Sequence, residues 1–350
     1  MRRSPRVGAS RAGRSARGAL SIVARLGARA PSHSVYHGAV TTRDPLHTAK
    51  CLPYPALADE VQALLRDPTV CVPARQVLPL AGGGTLFVMP AHDAQVAMCK
   101  LITYTPGNAA LGLPAIQGQV AVFDAARGTP LAQLDGPTVT ARRTAAVTLL
   151  AARCLSPLRD QLRAGAALGL VGAGVQARAH LEAFVAGFGP CTVHIASRTD
   201  ASAQALAAHA RTLGCDAQAH ASARQMAATC TGLIVCTPAS GVVVDGPLRD
   251  DVFVAAVGSF TPQMIELAPA LTRWFAQHGR IVIDSAEARH EAGDLLQAGL
   301  DTATLPTLAE AMQAAVPAAG PLLFKSCGWA GWDLAAARLA ARHAMDVRSP

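Results

Sequence analysis

Hydrophobic positions along the 350-residue chain follow two different patterns. Between about residues 69 and 136, short β-like runs are separated by turn signals, as in GGGTLFVMPA and AQVAMCKLITY, which predicts an antiparallel or mixed sheet. From Leu168 onward, five strongly apolar runs alternate with helix-like segments: LGLVG, TVHIAS, TGLIVC, DVFVAAVG and RIVID. Continuous apolar strands separated by helices predict a parallel sheet that is covered on both faces.

Three segments carry apolar residues at helical spacing and predict helices. The first is YPALADEVQALL, from Tyr54 to Leu65, and the last is the amphipathic segment GWAGWDLAAARLAARHAM. Between them lies TVTARRTAAVTLLAARCL, for which Thr140 is the expected N-cap because its hydroxyl can accept a bond from a free backbone N–H. Arg143 is expected near the start of that helix.

The net charge of +8 comes from the N-terminal end of the chain. Residues 1–43 carry nine arginines and no acidic residue, whereas the rest of the chain has 22 basic and 23 acidic residues. The folded part is therefore nearly neutral, which argues against a nucleic-acid-binding surface. The apolar runs are short and interrupted by Gly, Pro, Arg or His, so we expect no membrane-spanning segment.

Residues 1–46 are expected to form a disordered extension outside the fold. Their composition, rich in Arg, Ala, Ser and Gly and without an acid before Asp44, is also that of a mitochondrial presequence. A third interpretation is that these residues precede the true start of translation in a GC-rich gene.

The chain has nine cysteines, an odd number, mostly within apolar stretches. They form no C-x-x-C pair and no His/Cys spacing typical of zinc sites. We therefore expect neither a disulfide framework nor a bound metal, but reduced and largely buried thiols in a cytoplasmic protein.

The stretch LGLVGAGVQARAHLEAF leads from the first strand of the alternating region into a helix. Gly172 permits a tight turn, Gly174 allows the backbone to approach a phosphate, and Ala177 allows the helix to pack closely on the strand. Because the N-terminus of a helix attracts a pyrophosphate, this order predicts a dinucleotide-binding Rossmann domain. The alternative is a turn that uses its glycines only for packing.

The second strand of this region indicates which dinucleotide binds. A site for NAD usually has an acidic residue at the end of that strand, which bonds the ribose 2′-hydroxyl. Here the strand TVHIAS ends in Ser197, Arg198 and Thr199, and the first acidic residue is Asp200. A guanidinium with neighbouring hydroxyls suits a 2′-phosphate, so NADPH is the predicted cofactor and NADH the weaker alternative. The other interpretation is that Arg198 is an ordinary solvated side chain.

Three basic residues of the N-terminal region differ from ordinary surface charges. Arg75 and Lys100 lie within apolar, strand-like runs, and Arg143 lies near the start of a predicted helix. A single residue of this kind is often an edge charge whose aliphatic part packs on apolar surface. Three of them in a weakly charged region predict a cluster that binds an anion such as a carboxylate.

From about residue 52 to 345 the chain resembles the ornithine cyclodeaminase/μ-crystallin family. The resemblance is carried, in chain order, by RQVLPL, MPA, Lys100, TPGNAALGLP, TARRTAA, GAGVQARAH, SRT, VGSFTPQMIEL, DS…EAGDL and FKSCGWAGWDLAAA. So many motifs in one order are far more specific than the glycine loop alone. The resemblance implies an α/β fold and a homodimer, with a Rossmann domain at 161–307. Residues 47–160 and 308–350 would form an α+β domain for substrate binding and dimerisation, completed by the C-terminal helix.

The resemblance also implies roles for the residues that match these motifs. Arg75, Lys100 and Arg143 would bind the substrate carboxylate and face the reacting carbon. The pyrophosphate loop would comprise Gly172, Gly174, Val175, Gln176 and Ala177, and the adenosine ribose with its phosphate would contact Ser197, Arg198 and Thr199. The strand ends that pass the nicotinamide would comprise Thr237, Pro238, Val257, Gly258 and Ser259.

One position departs from the family pattern. Cyclodeaminases and alanine dehydrogenases of the family have an aspartate that handles the substrate's amino group in V-G-(G/A)-D-x-P, whereas VGSFTP places Phe260 there. A phenyl ring neither acts as a base nor binds ammonium, which favours a substrate whose nitrogen is already in a ring. The chain therefore most resembles the reductases of cyclic ketimines, Δ1-pyrroline-2-carboxylate and Δ1-piperideine-2-carboxylate.

The expected reaction is the NADPH-dependent reduction of these imines to L-proline and L-pipecolate. Lys100 is the predicted proton donor because two arginines and partial burial would lower its pKa, and a bound water is the alternative. Rival predictions are an ornithine cyclodeaminase-type lyase, an amino-acid dehydrogenase, an N-alkylating imine reductase and a non-catalytic NADPH-binding protein. Phe260 argues against the lyase, and the retained basic cluster argues against loss of catalysis.

Overall fold

Five antiparallel strands form one of two sheets in the computed structural model, which describes residues 44–314 and 320–346. They are β1 (Gln76–Pro79), β2 (Thr85–His92), β3 (Val96–Tyr104), β4 (Ile116–Asp124) and β5 (Pro130–Asp135), in the order β1-β2-β3-β4-β5. Every neighbouring pair is antiparallel. The sheet predicted between residues 69 and 136 is confirmed, in its antiparallel form.

Seven parallel strands form the second sheet. They are β6 (Ala167–Val171), β7 (Thr192–Ala196), β8 (Asp216–His220), β9 (Gly232–Val235), β10 (Phe253–Ala256), β11 (Arg280–Ile283) and β12 (Leu322–Lys325). Their order is β11-β12-β10-β9-β6-β7-β8, so the chain leaves β6 in one direction and returns to β9 on its other side. This is the doubly wound Rossmann arrangement, whose ligands bind beyond the carboxyl ends of the strands where the order reverses. All five predicted apolar runs form strands, which confirms the predicted parallel sheet.

Strand β12 does not follow the predicted division into domains. Residues 308–350 were assigned to the substrate domain as one piece, but Leu322–Lys325 pair with β10 and β11 inside the parallel sheet. All four residues of this strand are buried, and its apolar run of two leucines and a phenylalanine suits a position between two parallel neighbours. The boundary predicted at residue 308 is therefore wrong for this strand.

Twelve helices of α type and two short 3₁₀ turns, Pro106–Leu111 and Thr302–Thr304, complete the described part of the chain. The helices are α1 (Pro45–Cys51), α2 (Tyr54–Leu64), α3 (Gly136–Leu155), α4 (Leu158–Arg163), α5 (Val175–Phe188), α6 (Asp200–Thr212), α7 (Ala223–Ala227), α8 (Pro269–His278), α9 (Ala288–Glu291), α10 (Gly293–Leu296), α11 (Leu308–Gln313) and α12 (Ala330–Asp346). The three helices predicted from apolar spacing are confirmed as α2, α3 and α12.

Helix α3 begins earlier than its sequence predicted. Its N-cap is Asp135, whose carboxylate accepts a hydrogen bond from the Thr138 backbone N–H at 2.9 Å. The predicted cap, Thr140, lies inside the helix and donates its hydroxyl to Gly136 O at 2.8 Å. The prediction of Thr140 as N-cap is therefore wrong, because a carboxylate at the end of β5 fills that role five residues earlier. Arg143 consequently lies in the body of α3.

The C-terminal helix α12 packs against α2, α3 and the antiparallel sheet. Trp332 and the small residues around it are fully buried, so the helix lies much deeper than an amphipathic surface helix. This packing brings one acidic residue of α12, Asp333, into the interior with no exposed surface.

The predicted extension, residues 1–46, lies mostly outside the described residues. Its last residues do not belong to it, because Asp44 caps α1 by accepting a hydrogen bond from the His47 backbone N–H at 2.8 Å. All nine cysteines are free, and five of them are buried. No helix in the described part of the chain is long and apolar enough to cross a membrane.

Candidate active site

A buried ion pair between Lys100 and Asp333 forms the centre of the candidate site. Strand alternation turns Lys100 of β3 towards the interior, where its side chain is 1% exposed. Its Nζ lies 3.0 Å from both carboxylate oxygens of Asp333, in the first turn of α12. The C-terminal helix therefore supplies the counter-charge of a lysine that is more than 200 residues away in the chain.

Arg143 of α3 reaches the same carboxylate. Its Nε lies 3.3 Å from Asp333 Oδ1, and its side chain is almost as buried as that of Lys100. The backbone leaves room for the guanidinium at Gly328, where an added Cβ would lie 3.0 Å from Nη2 and 3.1 Å from Nη1. Two cations thus share one carboxylate, and the group keeps a net positive charge that suits an anionic substrate.

Arg75 approaches from the residue before β1 and forms an ion pair with Glu291 of α9. It also lies within electrostatic reach of Lys100, whose pKa it helps to lower. The structure therefore brings Lys100 and Arg143 onto one carboxylate and places Arg75 nearby with a carboxylate partner of its own. Burial raises the pKa of Glu291, and Arg75 opposes that effect.

The surroundings of Lys100 set its proton affinity close to neutrality. Burial lowers the pKa of Lys100 to about 8, and the charges of Arg143 and Arg75 act in the same direction. Asp333 opposes them because its negative charge favours the protonated lysine. An ammonium with such a pKa can give up a proton near neutral pH, which an ordinary lysine does poorly.

The turn after β6 has the features of a dinucleotide loop. Gly172 has φ of +105°, and a Cβ there would lie 2.8 Å from Cys236 O. Gly174 is the N-cap of α5, has open space where a Cβ would be, and leaves the helix without a side-chain cap. Ala177 is fully buried beneath the turn. Gln176 Oε1 is buried and has no hydrogen-bond partner in the described part of the chain. The free helix N-terminus fits a bound pyrophosphate.

The loop after β7 contains the three residues predicted to receive the ribose. Thr199 is the N-cap of α6 and accepts a hydrogen bond from the Ser202 backbone N–H at 3.4 Å. The Ser197 hydroxyl bonds to Thr199 O at 3.1 Å and to the Ser202 hydroxyl. Arg198 is exposed, and within residues 44–314 and 320–346 no hydrogen bond or ion pair occupies its guanidinium. Arg198 is therefore free to bind a phosphate.

The predicted nicotinamide residues form two strand-end loops, residues 237–238 after β9 and 257–259 after β10. Val257 N donates to Val235 O at 2.9 Å, so the second loop continues the sheet pairing. An added Cβ at Gly258 would lie 2.0 Å from Thr237 O and 2.4 Å from Thr237 N. Only glycine permits this close approach of the two loops.

Phe260 follows the second strand-end loop and packs on Tyr104 at the end of β3. The ring centroids are 5.9 Å apart and the planes meet at 82°, an edge-to-face contact. The contact joins the loop after β10 to the antiparallel sheet. Position 260 therefore contributes an apolar ring, and no acid, to the region between the two sheets.

The comparisons with known proteins agree with this geometry. The model of the ornithine cyclodeaminase/mu-crystallin family matches residues 57–346. The chain belongs to this family. The match confirms the resemblance that the motifs between residues 52 and 345 indicated, and it includes both sheets and α12.

Relatives within the ornithine cyclodeaminase/mu-crystallin family match over nearly their whole length. The chain is 39% identical over 320 residues to Delta(1)-pyrroline-2-carboxylate reductase 2 of Burkholderia ambifaria, covering 87% of this chain and 96% of the relative. It is 38% identical over 316 residues to the Delta(1)-pyrroline-2-carboxylate/Delta(1)-piperideine-2-carboxylate reductase of Azospirillum brasilense, again covering 87% and 96%. The solved structure of Thermococcus litoralis Delta(1)-pyrroline-2-carboxylate reductase in complex with NADH and L-proline is 25% identical, with a TM-score of 0.73, and covers 88% of this chain and 95% of that one.

Three acidic residues of this family member were not identified from the sequence as site residues. Asp333 pairs with Lys100, Glu291 pairs with Arg75, and Glu266 contacts both strand-end loops. A signal for Asp333 was present, since an acid within the apolar segment GWDLAAA is unusual in a buried helix. Glu291 and Glu266 carry no such signal, because their partners come from distant parts of the chain. Among the described residues, no group of three His, Cys, Asp or Glu could hold a metal ion.

Proposed function

We propose that this protein reduces the C=N bond of cyclic imino acids with NADPH. Δ1-Pyrroline-2-carboxylate gives L-proline and Δ1-piperideine-2-carboxylate gives L-pipecolate. The observation that carries the proposal is the buried Lys100 ammonium beside Arg143 and Arg75. It is supported by relatives at 38–39% identity that are named as reductases of these imines. It is also supported by the T. litoralis relative, whose structure contains NADH and L-proline.

The substrate carboxylate binds between the guanidinium groups of Arg75 and Arg143. A planar guanidinium donates two parallel hydrogen bonds to a carboxylate, which fixes the orientation of a flat imine ring. Glu291 is the present partner of Arg75, so a bound substrate shares Arg75 with Glu291 or replaces it. Asp333 keeps Arg143 in place through its Oδ1.

Lys100 supplies the proton that the ring nitrogen takes up. The cofactor, when bound, supplies a hydride to the imine carbon, and the nitrogen must gain one proton for the amine to form. Lys100 is protonated at neutral pH and has a pKa lowered to about 8, so it can donate that proton and recover it from solvent. A water molecule beside Lys100 is the alternative donor.

The side chain at position 260 favours a cyclic imine over an amine substrate. A cyclodeaminase or an amino-acid dehydrogenase must deprotonate or bind a free amino group. Phe260, packed on Tyr104, offers an apolar surface to the methylene carbons of a ring. The nitrogen of a cyclic imine is already bonded within the ring and needs no acidic partner at this position.

NADPH is the proposed form of the cofactor. The exposed guanidinium of Arg198 directly follows Ser197 at the end of β7, where an NAD site usually has an acid. The loop from Gly172 to Ala177 would hold the pyrophosphate. The strand-end loops would pass the nicotinamide towards Lys100.

We further propose a homodimer in the cytoplasm. Apolar side chains are exposed on the antiparallel sheet and the turn that follows β3, including Val77, Leu101, Leu111 and Leu113. Such a surface favours association with a second copy. Light scattering should give twice the chain mass, and a variant with lysine at both Val77 and Leu101 should be monomeric. Nine free thiols are consistent with a reducing compartment.

The central experiment is an assay of NADPH oxidation with four substrates. Δ1-Pyrroline-2-carboxylate and Δ1-piperideine-2-carboxylate should be reduced, and L-ornithine without reductant should release no ammonia. Pyruvate with ammonia should give a much lower rate. Ammonia release from ornithine would establish the lyase instead. Absence of any turnover despite NADPH binding would establish the non-catalytic function.

Lys100→Met tests the proton donor. We expect kcat to fall by about 100-fold or more, within the range for loss of a general acid, and the pH dependence assigned to Lys100 to disappear. Lys50→Met, at an exposed position of α1, is the matched control. A near wild-type rate with an unchanged pH profile in Lys100→Met would identify water as the donor.

A further inference from the structure

Glu266 lies beneath the two strand-end loops and bonds to both. Its Oε1 accepts hydrogen bonds from the Thr237 backbone N–H at 2.8 Å and from the Thr237 hydroxyl at 3.0 Å. Its Oε2 accepts from the backbone N–H groups of Gly258 at 2.8 Å and Ser259 at 3.0 Å. One carboxylate, with no exposed surface, therefore joins the ends of β9 and β10 through four hydrogen bonds.

Asp294 binds the backbone of Glu266, and Lys325 in turn binds Asp294. Asp294 Oδ1 accepts from the Glu266 N–H at 2.6 Å and the Leu267 N–H at 2.9 Å. Asp294 Oδ2 lies 2.8 Å from Lys325 Nζ, which also donates to Ser259 O at 2.7 Å. All three ionisable side chains have no exposed surface, so they form one buried network under the carboxyl edge of the sheet.

Fold stability alone does not explain why this network is built from charged side chains. Removing charges from water costs several kcal/mol per ion, and well-packed apolar residues are often as stabilising as a buried ion pair. With Glu266 ionised, above its raised pKa of about 7, the network holds two carboxylates against one ammonium and carries a net negative charge. What the arrangement specifies is the position of the two loops, which lie where a parallel sheet binds its ligand.

We infer that Glu266 is a positioning residue that fixes the strand-end loops against the nicotinamide end of the dinucleotide, with Asp294 and Lys325 holding Glu266 in place. The inference rests on the proposed function, because it takes these loops as the nicotinamide site. The nicotinamide ring is cationic in NADP⁺ and neutral in NADPH. A buried net negative charge beneath it therefore favours NADP⁺ over NADPH and assists loss of the hydride.

Glu266→Gln tests both parts of the inference. An amide cannot accept from both loops, because its NH2 group would face backbone donors, and the negative charge is lost. We expect the dissociation constant of NADPH to rise by about tenfold or more, as expected for loss of hydrogen bonds to a charged group. The dissociation constant of NADP⁺ should rise by about fivefold more than that of NADPH. The reason is that the variant's network has no net charge and no longer favours the cationic ring. Both constants are measured by direct titration at about pH 8, since burial raises the pKa of Glu266 to about 7.

Glu60→Gln is the matched control, because Glu60 of α2 is 6% exposed and ion-paired to Arg338 and Arg342 of α12, outside the network of Glu266. It should lower thermal stability comparably while changing either dissociation constant by less than about twofold. Glu266→Asp keeps the charge and both oxygens and should restore the NADP⁺ preference. In turnover, Glu266→Gln should lower kcat while the KM of the imino acid stays within about threefold, as for a defect in alignment.

Equal changes in Glu266→Gln and Glu60→Gln would overturn the inference. If Glu266→Gln does not fold, Ser259→Ala is used instead, because it removes the hydrogen bond between the loop after β10 and Asp294. Amide hydrogen exchange at Gly258 is then measured in this variant without cofactor. Faster exchange with weaker NADPH binding supports the inference, and unchanged values of both overturn it. Both binding measurements are independent of turnover. A wild-type protein that binds NADPH without reducing imines would therefore refute the proposed function and leave this test intact.

Discussion

Lys100 and Asp333 form an ion pair with almost no exposed surface, in which the lysine Nζ is equidistant from both carboxylate oxygens at 3.0 Å. Strand β3 supplies the cation and helix α12 the anion, so the last helix of the described chain completes the site. Because Arg143 contacts the same carboxylate, Asp333 forms ion pairs with two of the cations that the proposed function requires. The pair therefore links the folding of the C-terminal helix to the chemistry.

Asp333→Asn should shift the pH dependence of imine reduction. The negative charge of Asp333 favours protonated Lys100, so its loss lowers the pKa of Lys100 below about 8. The fall in kcat/KM on the alkaline side should therefore move to lower pH, by about 1 to 3 units, as expected for loss of an adjacent opposite charge. The ionisation of the free imine is common to both enzymes, so the difference between the two profiles is the measured quantity.

The same variant should lose about 3 to 5 kcal/mol of unfolding free energy, because Lys100 would remain buried without a counter-charge. Asp67→Asn is the control, since Asp67 pairs with Arg338 of the same helix at a partly exposed position. It should alter stability much less and leave the pH profile in place. An unshifted profile in a folded Asp333→Asn enzyme would show that Lys100 is not the group that titrates.

Much of the architecture could be predicted from the sequence because it depends on local pattern. Apolar runs identified five strands of the parallel sheet, and the glycine spacing identified the turn at Gly172. Strand β12 could not be placed in this way, since a short apolar run fits either sheet until its pairing partners are known. The start of α3 was misplaced because Asp135 and Thr140 are both favoured N-cap residue types, and the sequence alone does not show where β5 ends.

The basic residues of the site were predictable and their acidic partners were not. A cation inside an apolar strand, such as Lys100, can be recognised from the sequence alone. Which carboxylate balances it depends on contacts between segments that are far apart in the chain. The apolar segment GWDLAAA marked Asp333 as unusual but did not show which cation it balances. Glu291 and Glu266 became recognisable only when α9 and the loop after β10 were placed in the fold.

Gly328→Ala should weaken substrate binding through Arg143. An alanine Cβ would lie 3.0 Å from Arg143 Nη2, and the φ of +90° is unfavourable for any residue with a side chain. We expect the KM of the imino acid to rise by about tenfold, the loss of roughly one charged hydrogen bond, with a smaller effect on the KM of NADPH.

Gly299→Ala separates strain from displacement in that experiment. Gly299 has φ of +73° and open space around the position of a Cβ, so the substitution adds backbone strain alone. Both variants should lose about 1 to 2 kcal/mol of stability. If both raised the KM of the imino acid equally, the effect of Gly328→Ala would be due to strain, and Arg143 would not be displaced.

Arg75→Lys should separate substrate orientation from charge. A lysine keeps the positive charge beside Glu291 but cannot donate two parallel hydrogen bonds to a carboxylate. The KM of Δ1-pyrroline-2-carboxylate should rise by about tenfold or more, whereas the dissociation constant of NADPH should not change. Arg289→Lys is the control, because Arg289 lies on the same short helix as Glu291 and pairs with Glu310. A normal KM in Arg75→Lys would show that position 75 contributes only a positive charge, and no bidentate contact, to carboxylate binding.

Arg198→Ala should separate the two nicotinamide cofactors. The guanidinium is exposed at the end of β7 with no partner in the described part of the chain, so its removal disturbs no internal contact. Loss of a bidentate bond to the 2′-phosphate should raise the KM of NADPH by about 30- to 100-fold, corresponding to about 2 to 3 kcal/mol. The KM of NADH, which has no such phosphate, should change by less than about twofold. Arg249→Ala, which removes an exposed arginine paired with Asp251, should affect neither cofactor. Equal increases in the KM of NADPH and of NADH in Arg198→Ala would mean that Arg198 does not bind the 2′-phosphate. Any preference for NADPH would then have to come from the hydroxyls of Ser197 and Thr199.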